Sequence, residues 1–269
     1  MIFGNKEITE KQDIAKKRNY KVVKSNELIQ KSRYNLSLQE QKVLHYIISQ
    51  IKSTDTQFKR YYFSIQDFCK ICGIDYTNGG NYVYIKNILR DMFQHFIWIT
   101  IIENGEEKET ILRFIEKPFI NHTKKTIEIK LDDIMQEYLL QLKERFTEYN
   151  LLYILPMKSK YSPRIYEILK SYSNQKFAKT TVAKFRKMLM MEDEIYSNWS
   201  DFKKRILDKA INEINEFTDI YVNYKLGRQN RKISSIAFYI SKKESDDLIA
   251  TWENNKYILD EVDIEITDF

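Results

Sequence analysis

Glycine and proline are scarce, with six and three residues in a chain of 269. With so little glycine there is no GxxxxGK[ST] loop to wrap a nucleotide's phosphates, which argues against an ATPase. Cysteine is limited to Cys69 and Cys72, and histidine to His45, His95 and His122. A lone CxxC needs two more soft or imidazole ligands to hold zinc, and no histidine stands at ligand spacing from it. The pair is therefore expected as two small apolar side chains in a core. A nicking enzyme of the rolling-circle kind would draw its nucleophile from the 19 tyrosines, but it also needs a metal cluster that these scattered histidines do not supply. Asp132-Asp133 and Asp246-Asp247 are adjacent pairs that do not face each other on a helix, which leaves little ground for a two-metal nuclease. No apolar run approaches the roughly 20 residues of a membrane helix, and the first 20 residues, ending AKKRNY, lack the apolar stretch of a signal peptide. Together these absences point to a cytoplasmic protein that is not an enzyme and uses no cofactor, metal or membrane.

What the chain does have is charge, unevenly placed. Its net charge is +6, but residues 244–269 hold nine acidic residues and one base, Lys256. The first 243 residues therefore carry 43 basic against 29 acidic side chains, a net +14. Such a body attracts a polyanion at long range, with strong salt dependence from displaced counterions. A solvated lysine-rich surface gives the same count, so charge alone leaves both readings open.

One stretch recurs. The segment from Phe63 to Ile101 returns as Phe177 to Val222, and superposing Ile88-Leu89 on Ile206-Leu207 pairs Tyr84 with Phe202, Lys86 with Lys204, and Asn87 with Arg205. Each copy predicts strand, helix, turn, longer helix and β-hairpin, the order of a winged helix. The fold class expected is thus α+β, two tandem winged-helix units related by an internal repeat.

Local signals place the elements. VVKSNELI reads as a short helix, and Ser37-Leu38-Gln39-Glu40 as a capping box opening a helix to about Ile51. Tyr61 to Phe63 is a short strand, Ser64 caps the next helix, and Gly73 ends it. In the longer helix Tyr84, Ile85, Ile88, Leu89, Met92 and Phe96 fall on one side, while Lys86, Asn87, Arg90 and Gln94 point away. Asn104-Gly105 suits the turn of the first wing, between Ile97–Ile102 and Thr110–Ile115. Thr126 to Leu131 alternates as a strand, and Asp132 opens a helix through Leu142. Ser162 is expected to cap a helix with Pro163 at its first position, Thr180 or Thr181 the following one, and Ser200 the long helix after it. There Phe202, Ile206, Leu207, Ala210, Ile214 and Phe217 face inward, and Asp201, Lys204, Arg205, Asp208 and Asn212 outward. A loop from Gly227 to Lys232 then carries Arg228, Arg231 and Lys232 at the tip of the second wing.

The blocks YLLQLKERFTEYNLLYILPMKSKYSPRIYEILKSY (138–172) and DFKKRILDKAINEINEFTDIYVNYKLGRQNRKISSIAFYI (201–240) resemble the replication initiator proteins of iteron-containing plasmids. The opening VVKSNELIQKSRYNLSLQEQKVLHYII is similar to that family's N-terminal block, so the likeness runs from about residue 20 to 241. What the resemblance implies is a plasmid replication initiator that binds direct repeats (iterons) in the origin as a monomer, promotes opening of a neighbouring AT-rich tract, and recruits the host initiator and replicative helicase. It also implies a homodimer, joined mainly through the first domain, that binds an inverted repeat at the promoter and represses its own synthesis. The expected division is a polar leader (1–20), a first winged-helix domain for dimerisation and DNA binding (21–145), a second as the main origin-repeat reader (146–243), and an acidic tail (244–269). The tail matches no block of the family; its acids suit a solvated terminus, and docking on the body or mimicry of DNA are the alternatives.

Double-stranded DNA is the expected partner, and the contacts are placed on both long helices. Lys204 and Arg205 are expected to donate to guanine O6 and N7 or to phosphates, and Lys203 and Lys209 to phosphates. Asp201 and Asp208 either accept from cytosine or orient the basic side chains beside them. Arg228, Arg231 and Lys232 form a phosphate clamp, and Lys86, Asn87, Arg90 and Gln94 suit A·T pairs in the first copy. A winged-helix repressor without a replication role needs the same helices; direct repeats beside an AT-rich tract favour the initiator, a lone promoter palindrome the repressor.

Overall fold

A computed structural model describes residues 12–74, 81–191 and 198–267. The first winged helix is built from helix α1 (residues 12–18), β1 (Lys21–Ser25), α2 (Asn26–Lys31), β2 (Ser32–Arg33), α3 (Leu38–Ile48), β3 (Tyr61–Ser64), α4 (Ile65–Cys72), α5 (Asn81–Gln94) and the hairpin β4 (Phe96–Glu103) and β5 (Glu106–Arg113). A second hairpin, β6 (Phe119–Asn121) and β7 (Thr126–Ile129), leads through a 3-10 turn at Asp133–Met135 into α6 (Gln136–Leu139) and β8 (Phe146–Asn150). Then come α7 (Ser162–Lys170), β9 (Phe177–Thr181), α8 (Val182–Met188) and a long helix, α9, running through Trp199–Phe202, Lys203–Asp208 and Lys209–Phe217. The hairpin β10 (Ile220–Gln229) and β11 (Lys232–Lys242) follows, and α10 (Ser245–Thr267) closes the chain.

The signals at helix ends mostly act as read. Ser37 and Glu40 make both bonds of the capping box. Ser64 and Thr181 each accept from a backbone amide of the helix they open, and Gly73 ends α4 at φ 65°, a left-handed angle that a Cβ disfavours. Two caps are different. The long helix is capped by Asn198, whose side chain accepts from the Ser200 amide, so Ser200 lies inside the first turn. Ser162 is likewise helical, its hydroxyl buried without a hydrogen-bond partner, and Ser159 serves the preceding turn by accepting from the Tyr161 amide.

Other expectations change with tertiary context. VVKSNELI divides at Ser25 into strand β1 and helix α2, because β8 offers β1 an antiparallel partner across Lys21–Asn150 to Ser25–Phe146. Helix α3 stops at Ile48 rather than Ile51, and the helix after Asp132 ends at Leu139 rather than Leu142. Tyr84 and Phe96, read as inward, are exposed, since the inward row of α5 closes at Met92 and Phe96 begins a strand. The 227–232 loop is mostly strand: only Asn230 and Arg231, at φ 48° and 65°, form the turn. That two-residue turn with both φ positive matches the twist of the flanking strands.

The order of elements repeats as the sequence proposes, but the pairing does not. In the second copy β9 joins its own wing, giving the sheet β10-β11-β9. In the first, β3 pairs with β7 in a separate sheet, β3-β7-β6, while the wing pairs with β2 as β2-β4-β5. Both cysteines are buried and form no disulfide, as expected of core side chains, and burial pushes the Cys72 thiol up.

Between the two copies lies a buried ionic cluster. Glu167, on α7, is fully buried; its Oε1 meets Lys24 Nζ at 2.6 Å, and it accepts from the hydroxyls of Tyr149 (2.6 Å) and Tyr34 (3.2 Å). Lys24 also donates to His45 Nε2 at 3.2 Å. Arg164, one turn before Glu167, donates to the Ser32 carbonyl at 2.7 Å and stacks on the Tyr34 ring. These bonds tie α7 to β1, β2 and α3, so the second unit is held to the first through groups that water does not reach.

The leader and the tail are not loose polar ends within the described residues. In α1, Ile14 and Arg18 are buried. Helix α10 packs on α9 and on the 3-10 turn at Leu151–Tyr153. Its Asn255, fully buried, donates to the carbonyls of Phe217 (2.8 Å) and Leu152 (3.4 Å), and Leu259 is buried beside them. Trp252 donates to Asn19 and Arg18 meets Asp260, so the tail bridges leader and second unit. Docking on the body, rather than solvation, describes it.

Candidate nucleic-acid interface

Helix α9 has one apolar side and one polar side. Phe202, Ile206, Leu207, Ala210, Ile214 and Phe217 are all buried, Phe202 between Phe185 and Trp199. Asp201, Lys204, Arg205, Lys209 and Asn212 are exposed, and Asp208 is half-buried. The backbone widens to π-helical hydrogen bonding over Lys203–Asp208, the turn that bears the basic cluster. Such wide turns often mark functional positions in a helix, because they re-aim side chains.

Acidic residues of the helix hold two of its bases. Asp208 pairs with Lys203 at 2.6 Å and accepts from the Tyr224 hydroxyl, and its hydrogen bond keeps the Lys203 ammonium above lysine's ordinary pKa. Asp201 reaches Arg205 Nε at 3.6 Å across one turn, with both side chains well exposed. Of the two readings of these aspartates, orientation of the basic side chains is the one with bonds in the structure. Lys204 and Lys209 form no ion pair among the described residues and stand in solvent.

The wing continues the basic surface. Arg228, Arg231 and Lys232 are exposed around the Asn230-Arg231 turn. The register shifts between Gly227 and Arg228, and a Cβ on Gly227 would lie 2.2 Å from Ser235 Oγ, so a larger residue there requires that hydroxyl to turn aside.

In the first copy Ile85, Ile88, Leu89 and Met92 seat α5, leaving Lys86, Arg90 and Gln94 exposed and Asn87 half-buried. Arg90 donates to Asn87 Oδ1 at 3.0 Å and to Asp91 Oδ1 at 2.7 Å. Asn87 therefore offers its amide nitrogen more readily than its oxygen, and a bidentate grip on adenine requires Arg90 to let go.

All eleven sequence-derived residues thus lie on two helices and one hairpin, none of them packed in a core. Not foreseen were the β6-β7 hairpin, the Glu167 cluster and the seat of α10. Phe119-Ile120-Asn121 facing Thr126–Ile129 across a polar turn was a legible signal for the hairpin; the other two depend on contacts far apart in sequence. Among the described residues no group of three or more His, Cys, Asp or Glu side chains is arranged to hold a metal, and no helix is long and apolar enough to cross a membrane.

Comparison with known proteins agrees with this geometry. Residues 21–170 match the family described as "Initiator Replication protein, WH1", and residues 181–240 the one described as "Initiator Rep protein, WH2". The chain is also similar to a replication initiation protein of Escherichia coli, 26% identical over 258 residues that cover 87% of this chain and 74% of that one. With an α+β architecture of two winged helices and both family blocks in order, the chain belongs to the initiator replication protein family.

Proposed function

We propose that this protein starts plasmid replication by binding direct repeats in the origin as a monomer, through α9 in the major groove and the β10-β11 wing on the flanking backbone. The supporting observation is the exposed row Lys204, Arg205 and Lys209 on a helix whose other side is fully buried, followed directly by a hairpin with three exposed cations. A seated helix with a free polar side is the geometry that reads base edges, and cations beside it fix the register on phosphates. Arg205 and Lys204 read bases; Lys203, Lys209, Arg228, Arg231 and Lys232 contact phosphates, Lys203 once it leaves Asp208. In the first domain (21–145) Lys86, Asn87, Arg90 and Gln94 make a second, weaker contact, and the second domain (146–243) carries the main one. Bound monomers open the AT-rich tract beside the repeats and recruit the host initiator and replicative helicase.

Dimerisation and autorepression fall to the first domain. On one face of the β4-β5 hairpin Phe96, Trp98, Ile102 and Ile111 remain exposed, Ile102 at 68%, and β5 is the outer strand of its sheet. An apolar face beside an unpaired strand edge suits a second copy of the chain. Mobility-shift titration on the cognate origin at several salt concentrations, with sizing of the free protein, tests the whole reading. Specific retardation of repeat DNA, and loss of the dimer in Ile102→Lys, are the expected results. A chain that binds only a promoter palindrome would be a repressor instead.

A further inference from the structure

A cleft opens where the two units meet. Helix α2 of the first unit forms one wall of it, and α7, β9 and α8 of the second form the others. Its floor is apolar and sealed: Ile168, Leu169, Phe185 and Phe238 are at most 4% exposed, and the rings of Phe185 and Phe238 stand 5.4 Å apart at 47°. Met188 and Ala178, both half-buried, continue the apolar surface toward solvent. The volume is about 230 Å³. A cavity of roughly 150 Å³ with Leu, Ile and Phe walls already takes a benzene ring, while drug-sized ligands need about 300–1,000 Å³, so the space suits a body of one or two rings.

The charged groups around the cleft are of one sign. Lys31, Lys179 and Lys184 line it and no acidic side chain does. Lys31 is held by Glu27, one turn back on α2, at 2.7 Å. Lys179 and Lys184 are exposed and form no ion pair among the described residues. Gln30, in the same wall as Lys31, donates to Ser171 Oγ at 3.0 Å, which pins α2 to the end of α7 beside the cleft. None of these residues belongs to the DNA-facing set on α5, α9 or the β10-β11 wing.

We propose that the cleft binds a small aromatic carboxylate, its rings against Phe185, Phe238 and Met188 and its charge toward Lys184. A neutral apolar ligand would use the floor and leave the lysines without a partner. A highly charged one, such as a nucleoside triphosphate, would find the lysines but lose hydration against an apolar floor. One negative charge on a flat body satisfies both, and ring edges are favourable neighbours for the Met188 thioether. Because α2 and α8 come from different units, the ligand touches both and binds only when they are docked as here, so it stabilises that arrangement by mass action.

The test is isothermal titration calorimetry of 2-naphthoate into the full chain, with 2-naphthamide as its uncharged analogue. One saturable site at millimolar ligand is expected, with the amide roughly two- to fivefold weaker, the contribution of one exposed ion pair. Lys184→Ala is expected to bring the carboxylate down to the level of the amide. Met188→Trp puts a ring into the cleft and is expected to abolish binding of both. A thermal melt shows that each variant folds; if Met188→Trp melts low, Ala178→Phe fills the cleft from β9 and is read in its place. Lys184 is exposed, so its variant decides the charge contact in either case. The proposal is overturned if the native chain gives no saturable heat, if a folded cleft-filling variant binds as the native chain does, or if carboxylate and amide bind equally.

Discussion

Replacing Glu167 with glutamine tests whether the two winged helices are held in register by buried charge. The carboxylate and the Lys24 side chain, 0% and 3% exposed, meet at 2.6 Å, and two tyrosine hydroxyls donate to the same carboxylate. Removing one partner of a buried pair leaves the other charge stranded, which costs about 3–5 kcal/mol. Against a total stability of about 5–15 kcal/mol, that is a large fraction. Urea denaturation followed by circular dichroism measures it. Lys24→Met alone is expected to destabilise as well, but the double variant should recover at least about 1 kcal/mol of the summed loss, since neither charge is then stranded. A cost below about 1 kcal/mol for Glu167→Gln, or strict additivity in the double variant, refutes the reasoning.

The same cluster sets a pH dependence. Burial alone would raise the Glu167 pKa, but the Lys24 ammonium outweighs it and holds the carboxyl well below the usual range. A depressed carboxyl stabilises the fold above its unfolded value and loses that contribution as pH falls through the folded one. His45 is shifted down by burial and by the charge on Lys24, so the folded imidazole stays neutral while an unfolded one takes a proton below about 6.5. The unfolded state then binds more protons, and stability is expected to drop below pH 6.5 by up to about 1.4 kcal/mol per pH unit. His45→Gln should flatten that slope between pH 6.5 and 5; an unchanged slope assigns it elsewhere.

Arg205→Ala is expected to cost about 1–3 kcal/mol on the cognate repeat and to relax preference at one base pair, whereas Arg231→Ala weakens all sequences alike and lowers the salt slope by about 1; equal behaviour of the two would reverse these roles. Asn198→Ala removes the cap of α9 and should lower stability by about 1 kcal/mol in a thermal or urea melt, while Ser200→Ala changes little. Deleting residues 244–269 uncovers the seat of Leu259 and Asn255, so a loss of at least about 2 kcal/mol is expected by denaturation, where a solvated tail would cost nothing.

The sequence was most informative where local chemistry decides. Ser37, Ser64 and Gly73 act within one turn of themselves, and the apolar rows of α5 and α9 follow from helical spacing, so helices and outward side chains were legible together. At residues 162 and 200 a serine near a helix start drew the assignment, but the backbone starts one to two residues earlier, where Asn198 accepts from the Ser200 amide and Ser159 accepts from the Tyr161 and Ser162 amides. The Glu167 cluster joins residues 133 positions apart in the case of Tyr34, and no spacing rule reaches that far. The tail misled through composition: Glu244, Asp246, Asp247 and Glu253 face outward, while Thr251, Asn255 and Leu259 recur at four-residue spacing and turn inward.

The unequal pairing of the two copies bears on why the proposed DNA reader and the proposed dimer face fall in different units. In the second copy β9 closes the wing sheet, with Ser235–Thr181 to Tyr239–Phe177 in register, so the hairpin has a fixed neighbour along β11. In the first copy the equivalent strand is taken by β7, and the wing keeps only the two-residue β2 beside β4. Its β5 edge and the apolar residues Trp98, Ile102 and Ile111 are left uncovered as a consequence. The exchange has a second product, since β3 in its new sheet carries Tyr62 into the same row as Phe119. A single change of strand partner thus accounts for the uncovered edge and apolar face of the first wing, whereas in the second copy β9 covers the corresponding edge of β11 and the exposed rings of Phe177 and Tyr239 meet across the paired strands at 5.5 Å.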